Sequence, residues 1–279
     1  MKLYTIDTGL FKLDGGAMHG VVPKSIWNKF NPSDEKNLCT WAMRCLLIED
    51  NNRLILIDNG IGNKQDHNFL RHYYLHGEDS LEKSIKKAGF GLEEITDVFL
   101  THLHFDHCGG SIFKNGEKLE LAFPNAQYWS NENHWNWATK PNKREGASFL
   151  KENISPIQES GHLNFVNPHS PSPFQNFEIF YADGHTEKQM LPLIRYKEKT
   201  IAFVADLIPS AGHIPIPYVM GYDVRPLISM EEKENFLNMA VEKDFFLFFE
   251  HDPAIECCTV ENTEKGVRLK ESFKLEEVV

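Results

Sequence analysis

The sequence predicts a mixed α/β protein of two layered halves, on three observations. Short apolar runs of strand length recur through the chain, at residues 54–57, 97–101, 177–182, 201–205 and 245–249. Several are continuous rather than alternating, as in strands covered on both faces. Strand–helix–strand traffic occurs at both ends of the chain, which suits two halves packed as one domain over residues 1–279. His or Asp residues also stand just past several apolar runs, where α/β sheets place their chemistry.

Taken in order, residues 2–6 and 10–13 read as short strands. Residues 41–49 and 53–58, joined by Asn51-Asn52, read as a hairpin. Ser80 suits the cap of a helix that buries Leu81, Ile85 and Ala88 and stops near Gly89. Residues 97–101 form the next buried strand. A proline- and aromatic-rich stretch at about 114–173, with a helix at 131–138, reads as an excursion from the core. Strands resume at 177–182, 190–196 and 200–205, then a helix at 231–242, a strand at 245–249 and strand character over 259–273.

Composition narrows the function. The 279 residues are 41% hydrophobic and 25% charged, enough for a sizeable core and against disorder. A formal charge of −11, with no basic run, disfavours nucleic acid. No apolar stretch approaches the ~20 residues of a membrane span, and the N-terminus reads as no signal peptide. Five cysteines without a C-x-x-C pair suggest neither a disulfide framework nor a thiolate zinc site, so a cytoplasmic location is expected. The 13 histidines are the unusual number.

Histidines concentrate in T101-H102-L103-H104-F105-D106-H107-C108-G109-G110, directly after the strand at 97–101. Three imidazoles and a carboxylate within six residues are donors suited to zinc, with iron, manganese or cobalt also fitting. They exceed what one catalytic zinc with an open position needs, which suggests two metals. His185, Asp206 and His251 each follow a later apolar run and supply further ligands.

The pattern H102-x-H104-x-D106-H107, then His185, Asp206 and His251, with Asp58 upstream, resembles the metallo-β-lactamase superfamily of hydrolases. The resemblance implies a four-layer αβ/βα sandwich with two mixed sheets and a two-metal site. Carried over, His102, His104 and His185 would hold the first metal, Asp106, His107 and His251 the second, and Asp206 would bridge both. Asp58 would orient ligands by hydrogen bonds. Asp106 and Asp206 would be the catalytic carboxylates, Asp106 as a proton shuttle to the leaving group.

Within the superfamily, the HLHFDH segment and residues 16–27 look most like the N-acyl homoserine lactonase and methyl parathion hydrolase-like group. That implies opening of a lactone ring by a hydroxide shared between two divalent cations. The alternative is a phosphotriester or other (thio)ester hydrolase on the same site. The resemblance also allows a homodimer. One departure stands out: some lactonases carry a tyrosine three residues after the bridging aspartate, and Pro209 occupies that position here. Met18, Trp27, His213, Tyr218 and Tyr222 are the expected substrate contacts, with Trp135, Trp137 and Phe149 as further channel candidates. Cys108 reads as a packed residue rather than a nucleophile.

Overall fold

The computed structural model describes residues 1–279. The chain separates into two compact units, Met1–Gly9 with Met43–Pro173, and Leu10–Ala42 with Phe174–Val279. In chain order the strands are β1 (Lys2–Asp14), β2 (Leu38–Asp50), β3 (Arg53–Ile57), β4 (Asp97–Phe99), β5 (Ile112–Asn115), β6 (Lys118–Leu121) and β7 (Gln127–Ser130). They continue with β8 (Leu163–Phe165), β9 (Phe177–Ala182), β10 (Gln189–Tyr196), β11 (Lys199–Phe203), β12 (Phe246–Phe248), β13 (Cys257–Thr263) and β14 (Gly266–Phe273). One six-stranded sheet has the order β1-β2-β3-β4-β7-β8, a second β14-β13-β12-β11-β10-β9, and β5-β6 is a separate hairpin. Both large sheets are mixed, as expected.

In the first sheet, β2 and β3 form the predicted hairpin, with Asp50 paired to Arg53 and Asn51 at φ 54°. A positive φ is what such a tight turn demands, and asparagine tolerates it. Strands β3, β4, β7 and β8 then run parallel, so the carboxyl ends of β3 and β4 open at the same edge. The core beneath them holds Leu54, Leu56, Val98, Leu100, Tyr128, Trp135 and Ile157. Ser80 caps the helix Leu81–Lys87 as expected, and Gly89 at φ 98° ends it.

In the second sheet, β9 and β10 are antiparallel, β10 and β11 antiparallel, and β11 and β12 parallel. Thus β9, β11 and β12 point the same way and end at one edge. The helix Pro226–Glu242 makes the crossover from β11 to β12 and buries Phe236, Leu237 and Ala240 against the sheet. Burial of the Phe and Leu side chains contributes roughly 1.5–3 kcal/mol each.

Four expectations change in detail. β1 is one strand of 13 residues, not two, and runs through Gly9, which sits at φ 115°. The stretch 114–173 is not wholly an excursion: β7 and β8 extend the first sheet, and only the β5-β6 hairpin and the helices Glu132–Thr139 and Lys151–Glu159 lie off it. The crossover helix starts at Pro226, a residue favoured in a first helical turn, so it is longer than the apolar pattern at 231–242 indicated. Residues 259–273 hold a turn and parts of two strands, β13 and β14, with Gly266 at φ 86° starting the second.

Candidate metal centre

In the first unit, the candidate residues follow the ends of β3 and β4. Asp58 is the residue after β3, and Thr101 to His107 lie just past β4. His104 is the cap of a single helical turn, Phe105–Cys108, so Asp106 and His107 sit on that turn rather than on a continuing strand. Asp58, His102, His104, Asp106 and His107 are all buried. The ring of His102 lies with its centroid 3.9 Å from that of His107 and 4.6 Å from that of His104.

Hydrogen bonds fix this cluster. The amide of Thr101 donates to Asp58 Oδ1 at 2.8 Å and its hydroxyl donates to Oδ2 at 2.6 Å. Asp58 Oδ2 also faces His107 Nδ1 at 3.1 Å, and Thr101 Oγ1 faces His102 Nδ1 at 3.0 Å. The backbone of the loops interlocks: Asn59 N donates to His107 O at 2.8 Å and Gly110 N to Gly60 O at 2.9 Å. A Cβ on Gly109 would stand 2.1 Å from Ile61 O, and one on Gly110 2.2 Å from Asn59 O. Those glycines are needed for close backbone approach rather than for a left-handed turn.

In the second unit, His185 follows β9, Asp206 follows β11 and His251 follows β12, all at the same sheet edge and all buried. The two oxygens of Asp206 are divided: Oδ2 lies 3.1 Å from His185 Nε2 and Oδ1 3.1 Å from His251 Nε2. The opposite nitrogens are anchored, His185 Nδ1 to Asp223 Oδ1 at 2.9 Å and His251 Nδ1 to Ala42 O at 2.8 Å. Burial works against a charged His185, but Asp206 and Asp223 together raise it to about 10. The carboxylates around this ring therefore call for positive charge, which a bound cation supplies without a proton.

The donor set fits divalent metal. In His102, His107, His185 and His251 the Nδ1 atom faces an oxygen acceptor, so a proton on Nδ1 makes Nε2 the nitrogen that can donate to a metal. Imidazole and carboxylate donors of this kind suit zinc and its first-row neighbours.

The metallo-beta-lactamase superfamily profile matches residues 44–251, the stretch that carries every one of these side chains. The chain belongs to the metallo-beta-lactamase superfamily. It is a hydrolase of that superfamily, with His/Asp clusters of metal-binding character. An N-acyl homoserine lactonase of Bacillus thuringiensis is 23% identical over 265 residues, covering 90% of this chain and 93% of that enzyme. One from Bacillus cereus is 28% identical over 120 residues, 39% of this chain and 44% of that enzyme's length. Among solved structures, a probable metal-dependent hydrolase from Staphylococcus aureus superimposes with a TM-score of 0.88 at 25% identity, covering 99% of this chain and 97% of its own. AidC, a dizinc quorum-quenching lactonase in complex with a product, reaches 0.79 at 22% identity, covering 98% and 95%.

The expected substrate contacts fall into two kinds. Tyr222 is exposed and Tyr218 half-buried. Met18, Trp27 and His213 are buried, and both nitrogens of His213 are committed, to Ser210 Oγ at 2.8 Å and to Met18 O at 2.9 Å. His19 stacks on His213 with centroids 4.5 Å apart, and on Trp27 at 5.4 Å. The Cys108 thiol is buried, donates to Leu103 O at 3.3 Å and is pushed up to about 12, which removes it as a nucleophile.

Sequence reasoning missed Asp223 and His134. Asp223 is 38 residues beyond His185 in a segment with no motif, so nothing local marks it. His134 accepts from Leu103 N at 2.8 Å and so fixes the backbone between His102 and His104. Thr101 was the one legible addition, since it abuts the cluster.

Proposed function

We propose that this hydrolase opens a lactone ring of the N-acyl homoserine type, using two divalent cations, zinc by preference. His102, His104 and His185 would hold the first metal, Asp106, His107 and His251 the second, and Asp206 would serve both. The observation that carries the two-metal reading is the divided carboxylate of Asp206, with one imidazole Nε2 at 3.1 Å from each oxygen. The lactone reading is supported by the lactonase relatives and by the lactonase with product among the similar structures.

Two cations held by these residues would supply a water ionised near neutral pH and polarise the ester carbonyl. The protein's own work is positional. Asp58 and Asp223 fix the tautomers of His107 and His185, so that Nε2 of each is the donor. Asp106, buried on the turn Phe105–Cys108, is the carboxylate to pass a proton to the leaving alkoxide. Tyr218 and Tyr222, past the turn that carries Asp206, are the residues to contact the acyl amide or the ring, in place of the tyrosine that Pro209 displaces.

The test is turnover of N-hexanoyl homoserine lactone, γ-butyrolactone, paraoxon and a thioester by protein of measured metal content. Lactone opening should exceed the other activities by at least tenfold in kcat/KM. Preferred turnover of paraoxon or the thioester would overturn the lactone assignment and leave the metal assignment intact.

A further inference from the structure

His104 also has a buried carboxylate beside it. Glu145 Oε1 lies 3.4 Å from its Nε2, within ion-pair reach. Glu145 is only 3% exposed, deep for a carboxylate. It comes from the stretch between the helices Glu132–Thr139 and Lys151–Glu159, far from any ligand motif in sequence. Its other oxygen accepts from Trp137 Nε1 at 2.7 Å and from Asn142 Nδ2. Asn142 in turn accepts from the Arg144 and Glu145 amides through Oδ1 at 2.8 and 3.1 Å, which shapes the turn. Two residues act further along: Ser148 O accepts from Phe105 N at 3.0 Å, and the Phe149 ring packs 4.8 Å from that of His104. The segment is thus built against the ligand loop, with Glu145 aimed at one imidazole.

We infer that Glu145 is a positioning residue for the first metal, holding His104 through Nε2 so that Nδ1 is presented to the cation. The inference rests on the two-metal reading above. A carboxylate behind a ligand imidazole fixes its tautomer and raises its basicity. Asp58 stands in that relation to His107 and Asp223 to His185, and Glu145 is the carboxylate beside His104. Glu145 also adds a buried negative charge beside the first metal, which favours a dication over a neutral site.

The test is metal titration of the apo-protein with zinc against a chromophoric chelator, and with cobalt(II) followed by its visible bands. Glu145→Ala should weaken one of the two sites about 10–100-fold and leave the other unchanged. Glu145→Gln should fall between Ala and wild type, since the amide keeps the shape and polarity beside Nε2 but carries no charge. The cobalt bands of the weakened site should shift in both variants. A residue with a merely structural role would lower the melting temperature of the apo-protein and leave both affinities and the bands as in wild type, and that result overturns the inference. Should the Ala variant fail to fold, the isosteric Gln variant decides alone by the same criterion. Wild-type protein that takes up no metal would overturn the two-metal reading itself, and this inference with it.

Discussion

Asp58 shows how much one residue is asked to do. Its backbone is at φ 55°, a conformation that an L-residue adopts only when its surroundings hold it there. Its carboxylate accepts both donors of Thr101 and faces His107, with no solvent to share. Asp58→Ala should therefore have two separable effects. The buried Thr101 amide loses its acceptor, costing about 1–3 kcal/mol of stability. Metal bound with His107 weakens about 10–100-fold. Asp58→Asn should restore most of the stability, read by denaturant titration, and little of the affinity, read by zinc competition. If Asn restored both, the carboxylate charge would have no role in orienting His107. Asp223→Asn tests the same logic at His185, where the expected outcome is lower zinc affinity with an unchanged fold by circular dichroism. The proposed ligands stand out in the sequence because their donor types and order are a pattern in the chain. Their supports were not: Asp223, Glu145 and His134 act through tertiary contacts, and a lone Asp, Glu or His has no spacing to betray it.

At the scale of elements, strand ends explain why the proposed ligand residues of each unit share one sheet edge. A parallel pair such as β3-β4 or β11-β12 brings two carboxyl ends to one edge, and each following loop needs only a few residues to present a donor. The hairpin, the capped helix and most strands were readable, since periodicity and turn chemistry are local. The membership of β7 and β8 in the first sheet was not, because three- and four-residue strands among prolines carry little pattern. Nor did the sequence reveal why two glycines follow Cys108. Their packing predicts that Gly109→Ala, which drives a Cβ to 2.1 Å from Ile61 O, displaces the loop and lowers metal occupancy, measured by elemental analysis. Lys233 is a second element-level device. Buried on the helix Pro226–Glu242, its Nζ donates to His213 O at 3.0 Å, Pro215 O at 3.1 Å and Tyr218 O at 2.8 Å, fastening the turn that bears Tyr218. Burial pushes its ammonium down to about 7, with Asp223 pulling the other way. Lys233→Met removes all three donors and should cost about 2–4 kcal/mol by denaturant titration. The sign of the pH effect follows from the lowered value. Between about pH 7 and 10 the unfolded chain holds the Lys233 proton more tightly than the folded one. Wild type therefore gains stability as pH rises through that window, and Lys233→Met should lack this gain.

For the molecule as a whole, the proposed ligand set makes metal binding a term in folding. The proposed ligand residues are spread along the chain from His102 to His251. An unfolded chain does not hold them in place, so cations that bind the native state pull the equilibrium toward it. At free metal about 100 times the dissociation constant, each site adds about 2.7 kcal/mol. For a chain of this size each kilocalorie raises the melting temperature by roughly 2–4 °C, so two filled sites correspond to about 10–20 °C. Calorimetry of chelator-treated and zinc-reloaded protein measures that difference. The formal charge of −11 acts in the same direction, since a net anionic chain gains from neutralisation by bound dications. A sodium chloride control separates the two contributions: salt screens the general repulsion but cannot replace a coordinated ion. A melting temperature that zinc restores and salt does not would assign the stabilisation to coordination. Equal restoration by salt would mean the cations act only as a diffuse counter-charge, and the ligand assignment would lose its energetic support.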